Sequence, residues 1–572
     1  MKSDRMKSAC EKRIMLNGLK KMAVLLMLAA VCFHVSADDD EILLPDISTT
    51  ILKPDNGIPV ESEAVPDFRL LLPESGIELP DIADTGLAPD TFIPPKTDYT
   101  AEINDGTESV VSDVFIEGAV GGGFPGLFSG DFSVYRNEGA EPFSLKFSHL
   151  TETGYGGHTV SEGFTTSSTT LSGQKRFAFT DSLVLDLEGV YSTKADGLQG
   201  KSPLFYMLSN QKISGKADFL WNINDNAKLL SDVGVVFNNQ FAGYNGTLQN
   251  GVSDSSFYFM IQPRVVFEYA IPFENGNKFT FQTRIGYDGG TQQNRISGGF
   301  AVNYLIGDYG TVDTSVDVAW TKNMASSVVV PFQIGFKTGN SIPFIGSVSG
   351  GLKSSAADLS VLQEKMPYMF MNIKPFEESL WFAKLDMSFP VEFSSTETEQ
   401  KAFSVNKLEP SLAIDFGTTA FGNKSLAKFT ADNITGLMTA DVADRLILDT
   451  SCGAAVSFLV GEVCDINFFT GWKGCWFDRD ILEESHLLSV KLGVAHVNGS
   501  WGAETKIDIS FKGEAPDLGI TAFWELTKSM RLELKLADFI KLVTGSERRY
   551  SGDYCEYVQK GGYAALYVKM FF

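Results

Sequence analysis

The sequence predicts an all-β protein: a single large antiparallel transmembrane β-barrel of about 20–22 strands, preceded by a Pro-rich extended segment. Three observations support this fold class. The chain begins with an export signal, no long apolar stretch follows that signal, and from residue 112 onward apolar and polar residues alternate in long runs. A chain that is exported, lacks a membrane-spanning helix and alternates in this way fits a membrane barrel.

The export signal occupies residues 1–37. Seven Lys/Arg precede the apolar run "MAVLLMLAAVCF" at residues 22–33, and "VSA" supplies small residues for cleavage after Ala37. The apolar run is shorter than the ~20 residues that a membrane-spanning helix needs. Two alternatives stay open, a short membrane anchor and lipid attachment at Cys32. We expect a cleavable signal peptide.

The charge of the remaining chain excludes one class of partner. Residues 1–37 carry seven Lys/Arg and two Asp/Glu, so their removal leaves 40 Lys/Arg against 69 Asp/Glu and a formal charge of −29. Phosphate backbones bind basic surfaces. We therefore expect no nucleic-acid partner, and the acidity indicates either solubility or attraction of cations.

Residues 38–111 form the predicted acidic, Pro-rich periplasmic extension. Nine of the 21 prolines lie between Pro45 and Pro95, and six of them precede an acidic residue. Proline removes a backbone donor and restricts the residue before it, so this segment should be extended and partly polyproline II. Its apolar pieces "EILLP", "RLLLP" and "FIPP" could dock on a periplasmic partner, and a solvated linker is the alternative.

Residues 112–572 form the predicted outer-membrane barrel. Runs such as "SLVLDLEGVY" and "MRLELKLAD" alternate over lengths near the ~9–11 residues that cross a bilayer as a tilted strand. Aromatic residues mark several run ends, as interface girdles would: Tyr191, Tyr287, Trp320, Trp501 and Trp524. Strands of soluble sandwiches average only ~5–6 residues. A multi-domain sandwich protein is the alternative fold.

Polar residues of these runs are the candidates for the lumen. Both signs of charge occur, so they could form internal ion pairs or face a water-filled channel. The predicted lumen-facing residues are Asp186, Glu188, Arg284, Asp313, Asp317, Lys491, Lys506, Asp508, Arg531, Glu533 and Lys535.

One stretch departs from strand periodicity. In "SAADLSVLQEKMPYMFM", Leu359, Leu362 and Met366 recur at helical intervals, and Pro367 should end the helix. The sequence leaves two places for it, a surface loop or the barrel lumen. An inserted loop would set the size of the pore.

The sequence predicts no enzyme, no cofactor and no metal site. The histidines after residue 37 lie in no His-Glu-x-x-His or nucleophile-elbow setting, and phosphate-binding and dinucleotide motifs are missing. Four cysteines follow the signal: Cys452, Cys464, Cys475 and Cys555. In an oxidising compartment we expect Cys464 and Cys475 to pair, closing a loop that carries Trp472 inside it and Trp476 directly after it.

The chain ends on "GGYAALYVKMFF", which we interpret as the strand that closes the barrel. Leu566, Val568, Met570 and Phe572 share one parity and should face lipid. A terminal aromatic residue preceded by alternating apolar residues resembles the signal that the outer-membrane barrel assembly machinery recognises. We therefore expect lipid and that machinery to be partners.

Both ends of the barrel region resemble TonB-dependent-receptor-like proteins. "FIEGAVGGGFPGLFSGDFSVYR", "FSLKFSHLTETGYGG" and "GQKRFAFTDSLVLDLEG" are similar to opening strands of that group, and "MRLELKLADFIKLVTGSERRY" with the C-terminus is similar to its last two strands. The resemblance covers about 120 residues. It implies a plug of well over a hundred residues and a TonB-contact box. Here about 70 Pro-rich residues take that place, and "DEILLP" at Asp40 is the stretch similar to the box.

The predicted function is a porin or transporter for small solutes or nutrients in the outer membrane of a diderm bacterium, TonB-dependent-receptor-like but without a plug. Two alternatives from other classes stay open. One is a barrel whose loops act as a surface adhesin or interaction surface. The other is a fatty-acid-transporter-like barrel, which would have fewer strands and an N-terminal hatch. A secreted soluble β-protein is the outcome if the barrel prediction fails.

Overall fold

A computed structural model gives the fold of most of the region after residue 113. The described residues are 114–136, 142–245, 254–291, 294–322, 327–356, 363, 366–370, 377–393, 404–420, 425–432, 434–460, 463–477, 486–511, 514–547, 549 and 557–572. The signal peptide 1–37 and the extension 38–111 lie outside the described residues and stay predictions.

The described chain is built almost entirely of strands. The first thirteen strands are β1 Phe115–Phe124, β2 Leu127–Arg136, β3 Phe143–Thr153, β4 Thr165–Thr180, β5 Leu183–Gly197, β6 Phe205–Asn224, β7 Ala227–Tyr244, β8 Ser255–Pro272, β9 Lys278–Gly290, β10 Asn294–Ile306, β11 Gly310–Lys322, β12 Ser327–Val329 and β13 Phe332–Thr338. The others are β14 Ile345–Ala356, β15 Glu377–Ser388, β16 Val391–Glu392, β17 Ser404–Thr419, β18 Ser425–Ala431, β19 Met438–Ala443, β20 Leu446–Val460, β21 Cys464–Cys475, β22 His486–His496, β23 Trp501–Ser510, β24 Asp517–Thr527, β25 Met530–Ala537 and β26 Tyr563–Phe571.

Among the described residues, helical structure is limited to short pieces in the connections after β3, β14 and β25, and in the connection after β14 the one described helical residue is Gln363. Two 3-10 turns, Tyr155–Gly157 and Val160–Glu162, follow β3, and the helix α1, Phe539–Thr544, follows β25. Within the described part of the chain, no helix has both the length and the apolar character needed to cross a membrane.

The main sheet closes on itself as an antiparallel barrel of 22 strands. β12 and β13 both pair with β11 and form one barrel strand; β15 and β16 both pair with β17 and form another. The seam joins β1 to β26 in register from Glu117 opposite Phe571 to Phe124 opposite Ala564. Backbone hydrogen bonds of 3.1 and 2.9 Å between Ile116 and Phe572 extend it to the last residue. The predicted fold class and strand number are confirmed.

The alternation of apolar and polar residues along each strand determines which of its faces points outward. On β11, Val316 and Val318 are 50 and 52% exposed on the outer face, while the next residue, Ala319, is fully buried on the inner face. A tilted strand that alternates in this way presents apolar side chains outward and polar side chains inward. Most exposed apolar residues of the other described strands lie on the same outward face, so the outer surface of the described barrel is largely apolar.

The two ends of the barrel differ in their connections. One end, here the short-turn end, has two-residue turns such as 181–182, 225–226 and 528–529. The opposite end, the long-loop end, has most of the long connections, at 154–164, 198–204, 357–376, 420–445 and 538–562. Val114 and Phe572 both lie at the short-turn end. In outer-membrane barrels short turns face the periplasm and long loops face outward, which orients this chain.

The predicted pairing of Cys464 with Cys475 is wrong. These residues are the first and last of one strand, β21, and no disulfide joins them. Eleven residue steps at ~3.3 Å separate their Cα atoms by roughly 36 Å. A disulfide needs about 4.4–6.8 Å. The segment that contains Trp472 is a strand and not a stapled loop.

Candidate functional site

All eleven predicted lumen residues lie on inner faces of barrel strands. They occupy β5, β9, β11, β22, β23 and β25, and each has the parity opposite to that of the exposed apolar residues of its strand. Arg284 on β9 reaches Asp317 on β11 across the strand between them, with Nη2 2.7 Å from Oδ2. A contact that skips a strand in this way forms on the concave side of the sheet.

Most of these residues neutralise one another on the wall. Nine of the eleven form ion pairs, which are Asp186–Arg176, Arg284–Asp317, Lys491–Glu504, Lys506–Asp508, Arg531–Glu525 and Glu533–Lys535, at 2.7–3.2 Å. Of the other two, Asp313 accepts a hydrogen bond from Asn303, and Glu188 lies between Gln174 and Lys216 in the register. Such partly exposed pairs contribute only ~0–1 kcal/mol each. Because each pair joins opposite charges, these residues make the inner wall polar while adding little net charge to it.

Sequence reasoning missed several partners of these residues. Arg176, Glu504, Glu525 and Lys569 complete pairs on the inner wall. Their parity within alternating runs could have placed them there. Their partners follow from the register between strands, which one sequence does not reveal.

The inner wall carries a recess of about 410 Å³ on β8–β13. Its floor is formed by the small side chains of Ala301 on β10 and Ser315 on β11, which lie opposite each other, and Gln282 of β9 lies on the other side of Ala301. The long polar side chains around it include Glu268, Gln282, Arg284, Asn303, Asp313 and Gln333. The recess exists because small residues on β10 lie between strands with long inner side chains.

Gly299 has no side chain, and this keeps the wall beside the recess open. A Cβ there would lie 2.2 Å from the carbonyl oxygen of Val316 and 2.3 Å from Oδ1 of Asp317. Contacts this short do not occur, so a side chain at Gly299 would displace the carboxylate that Arg284 holds. The lack of a side chain at Gly299 therefore permits the Arg284–Asp317 ion pair and leaves the adjacent recess open.

Five connections meet at the long-loop end, and Gln199 joins four of them. The Nε2 of Gln199 lies 3.2 Å from the Tyr155 hydroxyl, 3.0 Å from the Tyr368 hydroxyl and 2.8 Å from the carbonyl oxygen of Val558. Its Oε1 accepts from the backbone N–H of Val558 at 2.8 Å. Gln199 has φ of 52°, a left-handed conformation that costs a non-glycine residue energy. The surrounding contacts must hold it in place.

The fifth connection, 420–445, is joined to the others by Tyr557 of the connection 538–562. Its ring stacks on Tyr368 with centroids 3.9 Å apart and planes 7° apart, and its hydroxyl donates to the carbonyl oxygen of Gly436 at 2.8 Å. Ser202 donates to the carbonyl oxygen of Thr435 in the same connection. The connection 420–445 also contains the β18–β19 hairpin, a separate two-stranded sheet.

These contacts cross the mouth of the barrel. Ser202 follows β5 and Thr435 follows β17, so ten barrel strands lie between them one way around and twelve the other. With strands ~4.8 Å apart and tilted ~40°, 22 strands enclose a barrel about 40 Å across. Two loops anchored almost diametrically opposite each other can meet only over the opening. The long-loop end is therefore bridged.

The bridge has an apolar core that rests on the inner wall. Met366, Met369 and Met438 are fully buried together with inward-facing residues of β6 and β8 such as Leu208 and Met260. The backbone pairs Met369 with Met438 in a parallel bridge, and Gln240 of β7 donates from Nε2 to the carbonyl oxygen of Met369 at 2.8 Å.

This packing decides between the two places that the sequence left open for the segment around Met366. The surface-loop interpretation is wrong for residues 366–370 of this segment, because they pack against the inner wall. Most of the predicted helix lies outside the described residues.

A hydrogen bond between a histidine and a glutamate also ties the loops together. His158 and Glu547 come from the connections after β3 and β25, with Nε2 and Oε1 2.5 Å apart. This hydrogen bond from His158 lowers the pKa of the Glu547 carboxyl. Burial raises the pKa of the Tyr155 hydroxyl, so it stays protonated beside Gln199. The bridge is thus held by hydrogen bonds around Gln199 and by the His158–Glu547 hydrogen bond.

The C-terminal residues occupy the seam. Leu566, Val568, Met570 and Phe572 have outward parity on β26, and Phe572 is 73% exposed. The opposite face of β26 presents Tyr563, Ala565 and Tyr567, which pack with Leu127 and Leu150 inside the barrel. Recognition of this strand by assembly machinery stays a prediction.

Comparison with known proteins finds similarity in structure only. No protein-family model matches the chain, and no curated protein matches it. Among solved structures, the FrpB iron transporter from Neisseria meningitidis aligns with a TM-score of 0.54 at 10% identity, covering 80% of this chain and 81% of that one. The copper transporter OprC gives 0.53 at 10% over 80 and 82%, and the siderophore receptor PiuA from Acinetobacter baumannii gives 0.50 at 10% over 80 and 82%.

Fold and inner wall together define a class, the closed outer-membrane β-barrel with a polar lumen. Within that class, the barrel has the fold of TonB-dependent receptors, the group to which these similar structures belong. Those proteins are receptors and transporters, not enzymes. The resemblance seen in the end strands is thereby confirmed for the barrel.

Proposed function

We propose that this protein transports small polar solutes or nutrients across the outer membrane. One observation carries the proposal: a closed barrel of 22 strands whose inner wall is polar and recessed, below a mouth bridged by its own loops. A structural or adhesive barrel has no need of a polar pathway through its centre. The similar structures include iron and copper transporters and siderophore receptors, which supports a role in uptake.

We also propose that the transporter works without a plug domain. The acidic, Pro-rich composition of residues 38–111 supports this, because a segment so rich in proline is poor material for a folded sheet. In this proposal the segment contacts a periplasmic partner, and the loops that bridge the mouth restrict the lumen in place of a plug. The fatty-acid-transporter alternative would need fewer strands than the 22 of this barrel.

Solute flux into liposomes tests the proposal. Full-length protein without its signal peptide is refolded into liposomes, and the swelling rate is measured in isosmotic solutes of increasing size. We expect swelling above that of protein-free liposomes, falling steeply with solute size, and greater in a variant whose residues 366–370 are replaced by a Gly/Ser segment of equal length.

Two further results complete this test. Deletion of residues 38–111 should leave the swelling rates unchanged if the segment is not a plug. If neither wild type nor the 366–370 variant admits any solute, transport is refuted and the surface-adhesin alternative becomes the better account.

A further inference from the structure

We propose that the recess on β8–β13 is a binding subsite for zwitterionic solutes, such as amino acids and short peptides. The inference rests on the proposed transport function and names a substrate class for it. The volume of about 410 Å³ lies within the ~300–1,000 Å³ range of small-molecule sites.

The acidic groups of the recess are positioned by neighbouring amides. Gln282 donates from Nε2 to Oε2 of Glu268 at 3.0 Å, and Asn303 donates to Oδ1 of Asp313. Each amide occupies one carboxylate oxygen and leaves further acceptor capacity on the other. An ammonium group is a three-donor cation and suits such carboxylates.

The guanidinium of Arg284 supplies the opposite charge. Its Nη2 donates to Asp317, while the side chain also borders the recess. A guanidinium carries five N–H donors and matches a carboxylate in geometry. A solute with an ammonium at one end and a carboxylate at the other can therefore engage Arg284 and an acidic residue together.

The charge of the recess excludes other solute classes. The lining contains two carboxylates, Glu268 and Asp313, and one cation, Arg284, which is already paired with Asp317. A second cation, Lys228 of β7, lies opposite Glu268 in the register and leaves one negative charge in excess among these five groups. The local excess is negative, so free anions are repelled and a carboxylate enters only with its own cation. Simple sugars carry no charge, so they can form hydrogen bonds but no ion pair with this lining.

Equilibrium binding to the full-length, detergent-folded protein tests the subsite. The probes are glycylglycine, N-acetylglycine, which lacks the ammonium, glycinamide, which lacks the carboxylate, and sucrose. Calorimetric titration should show the tightest binding for glycylglycine. The double variant Glu268→Gln/Asp313→Asn should weaken that binding at least about tenfold, as expected when charge-assisted hydrogen bonds are lost.

A matched control is Glu504→Gln, which removes an inner-wall carboxylate that pairs with Lys491 on the far side of the barrel. It should bind glycylglycine as wild type does. The proposal is overturned if N-acetylglycine, glycinamide or sucrose binds as tightly as glycylglycine, if no probe binds, or if the double variant binds normally. In each case persistent swelling by wild-type liposomes would show that transport stands and only the subsite fails.

Discussion

Replacing Gln199 by alanine is expected to raise the ion conductance of the barrel about tenfold or more. The substitution removes hydrogen bonds that join four loops, and it leaves the Tyr155 hydroxyl, the Tyr368 hydroxyl and both backbone groups of Val558 without that partner. Each lost bond costs ~0.5–1.5 kcal/mol, and 1.4 kcal/mol is a factor of ten in an equilibrium. The free-energy difference that favours the bridged state over states with separated loops should therefore decrease. Planar-bilayer recordings measure the change.

The control for this prediction is Gln174→Ala. Gln174 lies on the inner wall of β4 opposite Glu188, far along the strand from the bridging loops. It should conduct like wild type. If Gln199→Ala conducts no more than wild type, Gln199 does not hold the mouth closed.

Deleting Phe572 is expected to reduce assembly into the outer membrane to a small fraction of the wild-type level. The deletion removes an exposed aromatic ring, and it also removes two backbone hydrogen bonds of 2.9 and 3.1 Å that join Phe572 to Ile116 at the seam. A barrel that fails to close leaves an edge of unpaired backbone groups in lipid, which is costly. Protease resistance and heat-modifiable mobility of outer-membrane fractions report the assembled amount.

Two variants separate the causes of this effect. Phe572→Ala keeps the backbone bonds and removes only the ring, so it isolates recognition of the terminal residue. Phe511→Ala removes a ring that is similarly exposed, at 64%, but lies away from the seam, and it should assemble normally. Normal assembly after deletion of Phe572 would contradict the role given to the closing strand.

Local periodicity made the barrel predictable from sequence. Each strand carries its own alternation, so the parity of Asp313 or Lys506 already places it on the inner wall. The partners of these residues were not predictable, because Arg284 meets Asp317 only through the register of β9, β10 and β11. Sequence also suggested a loop between Cys464 and Cys475, whereas the segment continues the barrel as β21.

The loop contacts that bridge the mouth could not be predicted from local sequence patterns. Gln199 contacts residues 44, 169 and 359 positions away, and nothing in the composition of these loops marks them as partners. Only closure of the barrel brings the loop ends to one rim. The recess has the same origin, since it needs Ala301 to lie between Gln282 and Ser315 on adjacent strands.

Gel mobility of the detergent-folded chain tests whether the protein is a closed transmembrane barrel, because such a barrel resists dodecyl sulfate until it is heated. We expect unheated protein to migrate as a compact species and, after boiling, to shift to its full apparent mass, which is 62.5 kDa for all 572 residues and correspondingly lower without the signal peptide. It also predicts that folding requires detergent or lipid. Identical mobility with and without heating, together with a folded β-protein in detergent-free buffer, would contradict the membrane-barrel account.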